Sequence, residues 1–366
     1  MATPIPQILA TTREGVVRPF CDAVTVHADP LAVLFGMGSM IPNVVNTELK
    51  DAVQTVKSMS AALKSKAVTA PSQAGGWQYV VNVMLSYPGT AKKRGRFEKG
   101  PTTDVSKVRR AIYQIAELSQ SVLLDPQDVR INQDNETRII AYVKERMTEQ
   151  FTDLFNSFGD WLWNGDTSNG QWAGITKLIT TSAGTVGGLS QTTYTEWNPE
   201  RETGFGSFST NDGIGKMSEL IAKTGQRAGF FLIIAHKDVL GYFAKAVSSK
   251  QSLTLGLQNS PAKASRLWTT LGYGHTLFSG APVLASPHAP SGTMYGIDLT
   301  HLTFKHTPPA LFSQQPGAKP VMVGPVELGP WVNQANPPTW VMMMAIFGAV
   351  IADKLNCHWV ITGITA

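Results

Sequence analysis

The sequence predicts an α+β fold, and three observations carry that prediction. One segment holds a helix period for about seven turns, strand-like runs lie on either side of it, and a later stretch alternates helices with strands. At 366 residues, 43% hydrophobic and 16% charged, the chain has the composition of a globular protein. It is long enough for two compact domains or for one extended molecule of several lobes.

Residues 1 to about 70 read as an arm. A short apolar stretch, Leu31 to Ile41 (LAVLFGMGSMI), precedes a helix-compatible segment, Val44 to Ala67. Little there is expected to pack by itself, so neighbours are expected to order it. Gly75-Gly76 then opens WQYVVNVMLSYPG, whose aromatic and β-branched residues predict a strand closed by the Pro88-Gly89 turn signal. This is the outgoing limb of a long hairpin, and Asp104 to Leu124 is the returning limb. Its tip crowds Lys92, Lys93, Arg94, Arg96 and Lys99 around Gly95 and Gly100, too much charge to bury alone. Docking onto an acidic patch of another subunit is the favoured reading of that tip, ahead of simple solvation. Contact with nucleic acid ranks last, because only Phe97 is interleaved to stack on bases.

From Asn135 to Trp163 the apolar residues Ile139, Val143, Met147, Phe151, Leu154, Phe155, Phe158, Trp161 and Leu162 recur at spacings of three and four. They predict a spine helix over 135–163, roughly 40 Å long at 1.5 Å per residue, with these side chains as its packing face. Asp134 or Asn135 stands where a cap belongs, and Asn164-Gly165 where the helix should stop. The Gly-, Thr- and Ser-rich stretch that follows has no sustained period and reads as a long structured connection containing Trp172 and Trp197. From about Thr210 come a helix (DGIGKMSELIAKTG), a buried strand (GFFLIIAH), a second helix (KDVLGYFAKAVSS), and strands around Thr276 to Leu284 and Thr293 to Phe304. Beyond a proline-rich stretch, Trp331 to Thr365 is strand-like again and is expected to rejoin the spine helix.

No catalytic, cofactor-binding or metal site is expected. The seven histidines are scattered, without HExxH spacing, and His301 and His306 on one strand would face opposite ways. There is no Walker loop, no strand-to-helix GxGxxG and no GxSxG elbow, and GFGSFS at 204–209 reads as a loop. Glu136, Glu145, Glu149 and Asp153 fall on or near the polar side of the spine helix, where solvation or ion pairing is the ordinary role. Trp161, Trp163, Trp172 and Trp197 read as packing rather than as a ligand box. A net charge of +5 permits a polyanion neighbour without demanding one. Two cysteines, Cys21 and Cys357, suggest neither a disulfide framework nor a thiolate cage. The first residues lack the pattern of a secretory signal, and the most apolar window, Trp340 to Ile351, is short of the roughly 20 residues a membrane span needs.

The order arm, hairpin, long helix, α/β lobe and C-terminal strands resembles the major capsid proteins of tailed bacteriophages, the Hong Kong 97-like fold. Local wording is similar too: Gly-Gly before the hairpin, NGD (Asn164 to Asp166) after the spine, AGI (Ala173 to Ile175), TVGG (Thr185 to Gly188) and Trp197-Asn198. The resemblance implies an N-terminal arm (1–70) and an extended loop (71–124). It also implies a peripheral domain (125–209 and 326–366) and an axial domain (210–325). It further implies a structural protein and not an enzyme, self-assembling as hexamers and pentamers of an icosahedral head around double-stranded DNA, with non-specific DNA contact, no cofactor and no membrane. Its location would be the virion capsid, assembled in the host cytoplasm with a portal. Because the arm follows Met1 almost directly, a separate scaffolding protein is expected; a lysine-to-asparagine cross-link between subunits is not. An encapsulin-like nanocompartment shell would share the fold, and an α/β enzyme or ligand-binding protein built on the 210–325 lobe is the more distant alternative.

Overall fold

A computed structural model describes residues 29–37, 78–85, 108–125, 127, 136–225, 231–249, 276–279, 281–306, 321–323, 325–335 and 338–366. The basic cluster at 92–99, the helix expected over 44–67, Cys21, and the cap positions Asp134 and Asn135 lie outside them.

The first described element is α1 (Pro30–Met37). Asp29 starts it by accepting the Leu31 and Ala32 amides on Oδ1 at 2.9 and 3.0 Å, and Pro30 takes the first helical position, where no amide donor is needed. Leu31, Ala32, Val33 and Leu34 are all buried within the chain. Little in 1–70 is expected to pack by itself, and this helix is an exception to that expectation. The run LAVLF is apolar on every side, which is the signature of an interior helix rather than of a surface arm.

Strands β1 (Gln78–Met84) and β2 (Val108–Gln114) pair antiparallel, from Gln78 opposite Gln114 to Met84 opposite Val108. The chain then changes partners at Ile115: β3 (Ala116–Leu124) pairs with a C-terminal strand instead of with β1. Along β3, Ala116, Leu118, Val122 and Leu124 are buried while Ser119, Ser121 and Leu123 are exposed, the period of two for a sheet with one covered face.

Helix α2 (Glu136–Asn164) runs 29 residues. Ile139, Val143, Met147, Phe151, Leu154, Phe155, Phe158 and Leu162 are each at most 2% exposed, and Trp161 is partly buried against the same core. That face lies on β3 and on α1. After α2 come a one-turn helix α3 (Ile175–Leu178), the small hairpin β4 (Thr185–Val186) and β5 (Leu189–Ser190), and short strands β6 (Glu200–Glu202) and β7 (Gly206–Ser207).

The alternating region gives α4 (Gly213–Thr224), β8 (Phe231–His236), α5 (Lys237–Ser249), β9 (Thr276–Phe278), β10 (Ala281–Ser286), β11 (Met294–Asp298) and β12 (Leu302–His306). Helix α4 stops at Gly225, whose φ of 62° is left-handed backbone that glycine accepts without cost. Strand β8 is buried at all positions from Phe231 to Ala235 and pairs parallel with β10 through the crossover helix α5, so it reads as a continuous apolar run. Next come β13 (Val321–Val323), β14 (Val326–Leu328), β15 (Val332–Ala335), the 15-residue β16 (Pro338–Ala352), β17 (Trp359–Ile361) and β18 (Ile364–Thr365).

Two sheets result. One, ordered β12-β16-β14-β13 with β3 and β15 also on β16, packs against α2; the other is ordered β6-β17-β11-β8-β10-β9 and packs against α4 and α5. The tail therefore divides. Strand β16 goes to the spine-side sheet, whereas β17 enters the other sheet between β6 and β11, where Trp359 and Ile361 fill its core. In exchange, β12 leaves the 210–325 stretch to pair with β16.

Candidate functional site

The ribbon β1–β2 has two different faces. Tyr79, Val81, Val83, Ala111 and Tyr113 point to the side that rests on the chain's own body, with Val81, Val83, Ala111 and Tyr113 buried. The opposite side mixes Val80, Ile112 and Val108 with Gln78, Asn82, Arg110 and Gln114; Ile112 is 44% and Val108 45% exposed.

The inner face is seated by the turn that joins β4 to β5. The Ile112 amide donates to the Gly187 carbonyl at 2.9 Å, and a Cβ on Gly187 would come within 3.0 Å of the Ala111 methyl. Gly187 also has φ +59°, so glycine is required there twice over. The Arg109 guanidinium lies 5.9 Å from the Tyr194 ring centre, the Tyr113 hydroxyl donates to the Ala352 carbonyl at 2.5 Å, and the Lys305 ammonium sits 4.8 Å over the Tyr79 ring.

That turn is held in its own right. The Trp197 indole, buried to 1% exposure, donates to the Val186 carbonyl at 3.1 Å. Gln191, fully buried, accepts from the Gly184 amide at 3.1 Å and from Arg201 at 2.7 Å, while Arg201 also donates to the Thr180 carbonyl at 2.7 Å. Desolvation lowers the affinity of the Arg201 guanidinium for its proton. Upstream, Asp166 accepts from the Ser168 amide and pairs with Lys177 at 2.8 Å; that ammonium, then the Ser168 bonds, holds its carboxyl down to about 2. Thus TVGG and Trp-Asn form one support under the ribbon, and NGD is tied to AGI by the Gly174 amide donating to the Gly165 carbonyl at 2.9 Å.

The tryptophans are interior packing. Trp163, Trp172 and Trp197 are at most 1% exposed, and Trp172 stands edge-on to Trp161, Phe158 and Phe304 at 5.0, 5.9 and 5.3 Å. On the solvent side of α2, a groove of about 950 Å³ is lined by Gln120, Glu145, Glu149, Gln150, Asp153 and His288 among others. Gln120 donates to Gln150 at 2.6 Å and to Asp153 at 3.0 Å, and Glu149 pairs with Arg146 at 3.0 Å. A second apolar stripe lies on the open face of the spine-side sheet, where Leu123, Val341 and Val332 are in register across β3, β16 and β15; Leu123 is 57% and Val332 44% exposed.

The sequence reading missed a further grouping. Ligand-type atoms of Asp298, His301 and Cys357 lie within 4.8 Å of one another. Cys357 stands more than fifty residues beyond Asp298 and His301, and that pair alone matches no ligand motif, so the sequence left no signal to find. Among the described residues no helix is long and apolar enough to cross a membrane.

No protein family matches the sequence, and no curated protein matches it. Solved structures do. The subunit of the cyanophage A-1(L) capsid asymmetric unit is 14% identical, with 79% of this chain and 88% of that chain covered and a TM-score of 0.58. The capsid of a native GTA particle gives 12% identity, coverage of 89% and 93%, and a TM-score of 0.48. The SrpI encapsulin complex of Synechococcus elongatus gives 10%, 79% and 82%, and 0.48. The fold assignment rests on the first of these. On that similarity, the chain has the α+β fold of a phage capsid protein.

Proposed function

We propose that this chain is the major capsid protein of a tailed bacteriophage, a structural subunit that self-assembles into an icosahedral head around double-stranded DNA. The observation that carries the proposal is the capsid-protein fold, matched over 88% of the cyanophage chain. The open side of the β1–β2 ribbon, with Ile112 and Val108 exposed on it, supports it, since an isolated two-stranded ribbon is marginal in water and gains from a cover on its second face.

In the finer Hong Kong 97-like reading, 1–70 is the arm, 71–124 the extended loop, 125–209 with 326–366 the peripheral domain, and 210–325 the axial domain. In that reading α1, which is buried, would belong to the body and not to the reach of the arm. Partners would be identical copies in hexamers and pentamers, a separate scaffolding protein, a portal, and DNA held without sequence preference. The basic tip of one copy would dock onto the acidic groove of the next, matching Lys92, Lys93, Arg94, Arg96 and Lys99 to Glu145, Glu149 and Asp153.

Electron microscopy of the expressed chain, alone and with its phage partners, tests both levels. Closed icosahedral shells are expected. A chain that stays a compact single molecule under every assembly condition overturns the proposal, and shells that enclose a protein cargo and never package DNA redirect it to a nanocompartment. Reversing Lys93, Arg94 and Arg96 to Glu should lower shell yield; an unchanged yield removes the docking of the tip.

A further inference from the structure

The chain passes between its two sheets along neighbouring crossovers. Residues 299–301 lead from β11 to β12, and residues 353–358 lead from β16 to β17. The crossovers are stitched side by side: the Asp353 amide donates to the His301 carbonyl at 3.1 Å, and the Asp298 amide donates to His358 Nδ1 at 3.1 Å. We propose that Asp298, His301 and Cys357, which meet at this joint, form a binding site for a transition-metal ion of the zinc class.

The donor set and its surroundings both fit. A tetrahedral ion with donors at 2.0–2.3 Å needs them about 3.3–3.7 Å apart, so atoms already within 4.8 Å need to close by only about 1 Å. Asp298 is 9% and Cys357 7% exposed, so the ion would sit in a largely dry pocket. Thr300 fixes the Asp298 carboxylate by donating its amide and hydroxyl to Oδ1, which leaves Oδ2 for the metal. His301 Nδ1 lies 2.8 Å from Asp353 Oδ1. With the proton on Nδ1, Nε2 carries the free lone pair, the carboxylate–histidine arrangement that orients metal-bound imidazoles.

His358 is excluded as a ligand. Its Nδ1 accepts the Asp298 amide, so Nε2 holds the proton of the neutral ring. The fourth position falls to water. One nitrogen, one carboxylate and one thiolate select zinc, cobalt or copper over calcium or magnesium, which prefer oxygen alone. Binding displaces the thiol proton to solvent, so uptake strengthens as pH rises. The bound ion would tie the two crossovers, and through them the two sheets.

Cobalt(II) titration of the chelator-treated full chain tests the site, and the readout needs no assembly, so it stands or falls apart from the capsid reading. One cobalt per chain is expected, with tetrahedral visible bands and a near-ultraviolet thiolate charge-transfer band, displaced by zinc. Cys357→Ser should remove the charge-transfer band and His301→Gln should weaken binding at least tenfold, whereas Cys21→Ser should change neither. Asp353→Asn, which alters only the orienting carboxylate, should weaken binding about 10- to 100-fold and keep the band. Absence of a thiolate band in the unaltered chain, its persistence in Cys357→Ser, or its loss in Cys21→Ser overturns the proposal. Because His301 is partly exposed, His301→Gln folds even if Cys357→Ser does not, and unchanged affinity there is equally fatal.

Discussion

Asp29 is the most consequential single carboxylate in the described structure, and replacing it by alanine is the sharpest test of how the N-terminal segment is held. It is fully buried, caps α1 through the Leu31 and Ala32 amides, accepts the Trp163 indole at 2.8 Å, and accepts the Ser286 hydroxyl. One residue therefore joins α1 to the end of α2 and to β10. In Asp29→Ala the lost cap costs about 1 kcal/mol, and the Trp163 and Ser286 donors left buried cost about 1–3 kcal/mol each. Relief of the carboxylate's own desolvation works the other way, so the net loss expected is about 3 kcal/mol, a large share of a typical 5–15 kcal/mol. Asp29→Asn keeps the cap, and Ser286 can turn to accept from the amide, but the Trp163 N–H meets another donor; about half the loss is expected. Urea denaturation of the unassembled subunit reads both. If Asp29→Ala stays within about 1 kcal/mol of the unaltered chain, the segment is not held as argued.

Glycine 165 and glycine 170 make a matched pair: a Cβ at Gly165 would lie 2.4 Å from the Trp172 carbonyl oxygen and 2.5 Å from that of Trp161, while one at Gly170 meets nothing within 4 Å and suffers only its φ of +73°. Gly165→Ala should cost more than about 3 kcal/mol or abolish soluble expression and Gly170→Ala about 1 kcal/mol, and equal losses refute the close-approach account. The Asp166 carboxyl should titrate near 2 by NMR, and Lys177→Met should raise it toward the usual 3.8. Because its folded value is depressed, the stability it adds is fully present above about pH 3.8 and is lost as pH falls through about 2; a carboxyl indifferent to Lys177 sinks the pairing. Ile112→Lys on the open side of the ribbon should leave subunit stability within about 0.5 kcal/mol but cut shell yield, and normal shells would mean that this face is not covered on assembly.

The sequence made α2 legible because its apolar period is unbroken over seven turns, and β8 because a fully buried strand is one continuous apolar word. The alternating lobe followed from its succession of helix-compatible and strand-like runs. What stayed hidden was partnership. Nothing local in TWVMMMAIFGAVIA distinguishes a strand that hosts four neighbours from one at an edge, and nothing in WVI sends β17 to the other sheet. Helix α1 was misjudged because an apolar run within a sparse leader looks like an arm until its partners Trp163 and Ser286, far along the chain, are in view. Of the candidate site, the spine residues were readable from period alone. The motifs NGD, AGI and TVGG were visible as wording, but their purpose, two tight backbone approaches and a glycine seat for the ribbon, exists only in three dimensions.

The exchange of β12 and β17 between sheets has a mechanical consequence. A hinge between lobes needs a boundary that few bonds cross. Here, rotating one sheet against the other would strain the two crossovers at 299–301 and 353–358 and break the edge-on contact of Trp163 with Tyr295, together with the bonds from Asp29 to Trp163 and Ser286. The body of the chain is thereby held as one block. The ribbon is attached differently: it continues into β3 through Ile115 and rests one face on the Gly187 turn, with its other face open. A subunit that has to fit both hexamers and pentamers, as proposed above, would keep its body constant and make the adjustment in the ribbon, where moving costs one layer of contacts instead of two sheets.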